Sequence, residues 1–211
     1  VLAGNGGNDT LVGLGNDDTY VFSRESDTED LGTDTVTEAS SGGDEDMLNF
    51  AGFLEAVTID LSQSTAVSHA DVTVNLSDNT HVEAATGTAL DDTLIGNDAA
   101  NLLVGGAGND TLEGGLGDDD LDGGSGDDVY VFDRDLVTDN LGSDTITEAT
   151  GASNDDGDRL DFSGFDEALT VDLTGDDTVP AVSHAELTVT LTEKLGLEEI
   201  VGTSGNDTLT G

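Results

Sequence analysis

Apolar residues in the middle of the chain recur with a period of nine. From Gly87 to Val131 the sequence divides into five nonapeptides that open on Gly87, Gly96, Gly105, Gly114 and Gly123. Their eighth residues are Leu94, Leu103, Leu112, Leu121 and Tyr130; their sixth residues are Asp92, Asn101, Asp110, Asp119 and Asp128. A large apolar residue with a neighbour on each side reads as a three-residue strand, since side chains alternate across a strand and position eight alone faces a core. The glycine-rich stretch before each strand reads as a turn, because glycine reaches the positive φ values that close turns need. Short strands and polar turns therefore alternate, and no helical period is present.

The register extends in both directions. Gly4–Val12 carries Asp9 and Leu11, Gly13–Val21 carries Asp18 and Tyr20, and Gly202–Thr210 carries Asp207 and Leu209. Glu83 and Glu198 fall nine residues before Asp92 and Asp207, so the acidic register starts before the glycines do. Asp34, Asp46, Asp144 and Asp158 likewise precede an apolar residue by two positions.

A longer repeat overlies the short one. Tyr20-Val-Phe22 matches Tyr130-Val-Phe132, Asp34-Thr-Val-Thr-Glu-Ala39 matches Asp144-Thr-Ile-Thr-Glu-Ala149, and Val67-Ser-His-Ala70 matches Val182-Ser-His-Ala185. This predicts a first unit at 1–95 with an insertion at 22–86, linking turns at 96–113, and a second unit at 114–211 with an insertion at 132–201. Inside the insertions Val57, Ile59 and Leu61, then Val72, Val74 and Leu76, alternate with polar residues and read as strands with one buried face; Val171, Leu173, Leu187, Val189 and Leu191 repeat the pattern. Phe50, Phe53, Phe162 and Phe165 read as core plugs where the structure widens, and His69 and His184 as strand or turn histidines.

Composition sharpens this picture. Four Lys plus Arg stand against 47 Asp plus Glu, a formal net charge of -43. Self-repulsion of that size opposes compaction and excludes nucleic acid and anionic membrane surfaces as direct partners unless cations intervene, so cations are the natural counterweight; no apolar run is long enough for membrane insertion by a helix. Few aromatics and 29 glycines suggest disorder, but the fixed apolar period contradicts it. There is no Cys, which removes disulfides and thiolate metal sites and leaves hard oxygen ligands. G-x-S-x-G, P-loop, H-E-x-x-H and dinucleotide motifs are absent, so the chain reads as no enzyme by itself. Asp118, Asp120, Asp122 and Gly123 imitate the start of an EF-hand loop, but Val129 stands where its bidentate Glu is required.

Gly105-Gly-Ala-Gly-Asn-Asp-Thr-Leu-Glu113 and Gly114-Gly-Leu-Gly-Asp-Asp-Asp-Leu-Asp122 resemble the G-G-x-G-x-D-x-U-x nonapeptide of the repeats-in-toxin (RTX, hemolysin-type) calcium-binding family. The resemblance implies an all-β fold, a right-handed parallel β-roll or β-solenoid, here with two widened, strand-containing insertions. Two nonapeptides would make one coil, and the turns would hold several Ca2+ ions. By this register the candidate ligands are Asp9, Asp18, Asp34, Asp46, Glu83, Asp92, Asn101, Asp110, Asp119, Asp128, Asp144, Asp158, Glu198 and Asp207. Residues eighteen apart would share ions: Asp92 with Asp110, Asp110 with Asp128, and Asn101 with Asp119. The neutral Asn101 makes its site the loosest of these. Leu90 and Ala99 at position four, and Asn5 and Leu14 at position two, replace family glycines and predict distorted turns; Asn16 is a milder change.

A lone stack of Leu is a thin core, so calcium is expected to supply much of the folding free energy. The implied protein is a secreted or cell-surface bacterial one, such as an adhesin stalk, surface-layer or fibre component, exported unfolded and folding outside the cell. The rival readings are an accessory C-terminal calcium roll of a secreted protease, lipase or polysaccharide-modifying enzyme, and a carbohydrate- or protein-binding module. Repeats unfinished at Val1 and Gly211 suggest a longer tandem array, with adjacent copies stacked head to tail.

Overall fold

The computed structural model describes residues 1–24, 30–38, 45–78, 81–133, 141–147, 157–165, 170–172, 182–183, 187–191 and 197–210. Side chains at 170–172, 182–183, 187–188, 190–191, 197–198 and 209–210 lie outside that description, as do Leu173 and His184. The described residues form two facing sheets of eleven and ten strands, dominated by parallel pairs. This is the parallel β-roll that the family resemblance implies.

The chain crosses from one sheet to the other with each short strand. In the ten-stranded sheet Thr93–Ile95, Thr111–Glu113, Val129–Val131 and Asp158–Asp161 lie side by side, with Leu94 opposite Leu112, Leu112 opposite Tyr130 and Tyr130 opposite Leu160. In the eleven-stranded sheet Leu102–Ala107, Asp120–Ser125 and Gly142–Thr147 do the same, with Leu103 opposite Leu121 and Leu121 opposite Ile146. Each partner in the regular part is eighteen residues away, so one coil consumes two nonapeptides. Every position-eight residue from Leu94 to Tyr130 is almost wholly buried while positions seven and nine stay at least partly exposed. The two apolar ladders meet as one core, each Leu contributing roughly 2 kcal/mol by leaving water.

The insertions widen the roll on one face at a time. Thr58–Asp60, Thr65–Ser68 and Val72–Leu76 form antiparallel pairs and enter the ten-stranded sheet between Gly32–Thr37 and Thr93–Ile95. Opposite them, Met47–Asn49 pairs directly with Ala84–Thr86. The second set, Thr170–Asp172, Val182–Ser183 and Leu187–Leu191, enters the eleven-stranded sheet between Gly142–Thr147 and Thr208–Thr210. The same topology thus lands on opposite faces, because an odd number of sheet crossings separates Thr10–Val12 from its counterpart within Asp120–Ser125.

Aromatic rings fill the widened core. Phe22 stacks on Phe50 at 4.8 Å and Phe132 on Phe162 at 4.8 Å, with Phe53 and Phe165 set edge-on. Arg24 is buried beside them with its guanidinium 5.1 Å above the Phe53 ring, bonded at 2.6 Å to both Glu55 and Asp71. That clasp ties the strand edge after Val21 to two turns of the insertion. Burying an arginine is tolerable here because two carboxylates pair its terminal nitrogens and offset its charge, while its Nε–H is buried without a hydrogen-bond partner.

Candidate metal sites along the turns

The acidic residues form ladders along the two edges of the roll, and the cause lies in the strand geometry. The N–H of each position-six residue points along the stack and donates to the carboxylate one coil further on. On one edge Asp92 donates to Asp110 Oδ1 at 2.7 Å, Asp110 to Asp128 at 2.7 Å and Asp128 to Asp158 at 2.9 Å, while Val57 donates to Asp92 at 2.7 Å. Asp9 donates to Asp34 at 2.9 Å in the same fashion. On the other edge Asp18 donates to Asp46 at 2.8 Å, Asp46 to Glu83 at 3.2 Å, Asn101 to Asp119 at 2.8 Å and Asp119 to Asp144 at 3.1 Å. Asn101 joins Glu83 through its Nδ2, which donates to the Glu83 carbonyl at 3.0 Å. Asp207 accepts bonds from Thr203 of its own turn, and the Glu198 side chain lies outside the described residues.

In Asp34, Asp92, Asp110, Asp119 and Asp128 one carboxylate oxygen, Oδ1, accepts the ladder bond and the other, Oδ2, faces a glycine turn. In Asp34, Asp110 and Asp119 this Oδ2 is buried without a hydrogen-bond partner. A Cβ placed on Gly105 would come under 3.0 Å from both Asp110 Oδ2 and the Gly123 carbonyl oxygen; one placed on Gly114 would meet Asp119 Oδ2. Position one is thus kept bare beside a small cradle of carboxylate and carbonyl oxygens. Burial pushes the Asp110 carboxyl up to about 6, Asp119 to about 7 and Asp144 to about 8, against 3.8 ordinarily; neighbouring acids add to the rise, and the backbone bonds only partly offset it. Anionic oxygens stacked out of water call for a hard cation, and the donor set of carboxylates and carbonyls suits Ca2+.

The sequence profile of the RTX calcium-binding nonapeptide repeat matches four times, over residues 1–29, 86–119, 95–130 and 196–211. The chain carries RTX calcium-binding repeats. No curated protein matches it closely.

The RTX turns are of two kinds. At Gly105, Gly114 and Gly123 the second and fourth residues are glycines with φ between 97° and 129°, and the turn stays open around the cradle. At Gly87 and Gly96, where Leu90 and Ala99 replace the fourth glycine, the second residue closes the turn instead. Thr88 donates from its N–H at 2.5 Å and its Oγ1 at 3.1 Å to Asp92, and Asn97 donates from its N–H at 2.8 Å to Asn101 Oδ1. Thr203 repeats the arrangement, donating to Asp207 at 2.9 Å and 2.8 Å. Asn5, Leu14 and Asn16 do something else again: with φ of 60°, 82° and 70° they hold the glycine conformation without being glycine.

Four residues escaped the reading from sequence. Glu38 and Tyr20 lie at the Gly13 turn, and Asp122 has a buried Oδ1 with no hydrogen-bond partner. Arg24 is the fourth. The signal for Glu38 was the matched Glu in Asp34-Thr-Val-Thr-Glu38 and Asp144-Thr-Ile-Thr-Glu148, which stands where the repeat has its first glycine. Glu55, His69 and Asp71 also bring ligand atoms within 4.8 Å of one another, but the Arg24 guanidinium already bonds both carboxylates. That cluster is an ion-pair clasp, with His69 packed edge-on against Phe53 at 5.3 Å.

Proposed function

We propose that the chain is a calcium-rigidified structural segment of a secreted or cell-surface bacterial protein, of the kind found in adhesin stalks, surface layers or extracellular fibres. The observation that carries this reading is the pair of carboxylate ladders, with buried Oδ2 atoms beside glycine carbonyls. The ladder acids, with Asp207 and Glu198, are the ligands in this reading, and Ca2+ is the partner that neutralises them. Units 1–95 and 114–211, joined by the turns at 96–113, serve as two copies of one building block, and further copies would stack head to tail. No catalytic role is assigned to the chain itself.

The test is a far-ultraviolet circular dichroism titration. Metal-stripped protein should be largely unfolded and become β-rich in millimolar calcium. An unchanged β spectrum in the stripped and calcium-loaded states would overturn the reading.

A further inference from the structure

Position one of the repeat is glycine because the cradle beside it has no room for a Cβ. Glu38 breaks that rule. It follows Asp34-Thr-Val-Thr37 and so occupies the first position of the next repeat, and its carboxylate reaches over the stacked glycine of the preceding coil, Gly13. A point one Cβ away from Gly13 lies under 3.0 Å from Glu38 Oε1, Asp18 Oδ2 and the Tyr20 hydroxyl oxygen. Asp18, Glu38 and Asp46 bring ligand atoms within 4.8 Å of one another.

An acidic cluster alone does not make a site, but Tyr20 is an independent pointer. Its side chain is completely buried, its hydroxyl has no hydrogen-bond partner, and it aims at that same point. At the matched place in the second unit the Tyr130 hydroxyl accepts a bond from the Gly123 N–H at 2.8 Å, so the Tyr20 arrangement is not forced by the turn. An unpartnered phenol oxygen converging with three carboxylates is a ligand set of hard oxygens.

We propose that Glu38 and Tyr20 join Asp18 and Asp46 in one cation site that departs from the other nonapeptide sites: the Glu38 carboxylate takes the place of a glycine carbonyl and gives Ca2+ a tighter seat. The inference rests on the reading of the roll as calcium-dependent. Its physical basis is charge count: a third carboxylate raises the affinity of an oxygen site for a divalent ion, and more so for a trivalent one. The site stands where the regular roll gives way to the first insertion, so cation binding there would fasten the coils on which the insertion is mounted. The sequence repeats Asp128, Tyr130, Glu148 and Asp158 at the matched places of the second unit; Glu148 lies outside the described residues.

Terbium luminescence tests this directly. The chain has two Tyr and no Trp, so in a Tyr130→Phe background the emission excited through tyrosine reports Tyr20 alone. Energy transfer falls steeply with distance, and a Tb3+ ion at the cluster should give strong emission that calcium competes away. Glu38→Gln should weaken Tb3+ binding about tenfold, the effect of losing one charged ligand. Glu38→Gly, which restores the repeat's own glycine, should do the same, and it keeps the test valid if the Gln variant does not fold. Adding Tyr20→Phe should abolish the sensitised emission.

Saturating Tb3+ without tyrosine-excited emission in the Tyr130→Phe chain would overturn the proposal, whatever the variants do. Equal Tb3+ midpoints with and without Glu38 would overturn it too. In either case calcium-induced β structure would survive, whereas a chain that stays unfolded in calcium would remove the underlying reading first.

Discussion

The turns at Gly105, Gly114 and Gly123 differ from those at Gly87 and Gly96 in what completes them. The first three have glycines at positions two and four, with positive φ throughout, and leave Asp110 Oδ2 and Asp119 Oδ2 buried without hydrogen-bond partners. In the other two, Thr88 and Asn97 donate into the position-six side chain and satisfy the turn from within. Both kinds feed strands that pair in the same register. The β-roll therefore requires that the position-six oxygens find partners, and it accepts either a cation or a neighbouring N–H. On the proposed reading, open turns would make the fold depend on calcium, whereas closed turns hold themselves.

The largest expected effect separates the two kinds by substitution. Asp110→Ala removes a charged rung from an open turn, deprives the buried Asp92 N–H of its acceptor and empties a cradle. It should shift the calcium midpoint of folding about tenfold or more, in line with about 1–3 kcal/mol for an unsatisfied buried donor together with weakened ion binding. Asn101→Ala cuts neutral bonds in a closed turn and should move the midpoint much less. Calcium titrations of both variants followed by circular dichroism decide it, and equal midpoints would break the comparison.

A smaller effect comes from protons. In the calcium-free roll the carboxyls of Asp110, Asp119 and Asp144 are raised from 3.8 to about 6, 7 and 8, chiefly by burial. Groups whose folded values exceed the unfolded ones favour the fold when protonated. Their contribution is complete below about pH 4 and is lost as pH rises through 6 to 8. Metal-stripped protein should accordingly gain β structure on acidification from pH 8 to pH 4. Calcium-loaded protein should show the opposite trend, with apparent calcium affinity falling over the same window as protons displace the ion. Stripped protein that loses β structure on acidification would contradict the ladder account.

The smallest effect sits inside a closed turn. Thr88→Val keeps the shape of the side chain but deletes the hydroxyl that donates to Asp92 and accepts from the Leu90 N–H at 3.1 Å. A loss of about 1 kcal/mol is expected in saturating calcium, readable as a modest drop in thermal midpoint. A loss as large as that of Asp110→Ala would mean that Thr88 does far more than close its own turn.

What the sequence by itself determined is everything carried by the period of nine. One apolar residue in a three-residue strand can bury only at position eight, so Leu94, Leu103, Leu112, Leu121 and Tyr130 had to face a core, and the two nonapeptides per coil that the family resemblance implies put Asp92, Asp110 and Asp128 on one edge with Asn101 and Asp119 on the other. Those relations involve neighbours within one or two repeats. The tertiary structure alone decided relations across longer separations. Arg24 finds Glu55 and Asp71, 31 and 47 residues away. The two insertions fall on opposite sheets because an odd number of crossings lies between them. Asp18, Glu38 and Asp46 converge because coils of unequal length stack Glu38 over Gly13. A repeating pattern fixes the height of each residue in its own coil, whereas the length of the chain between coils fixes which residues meet across them.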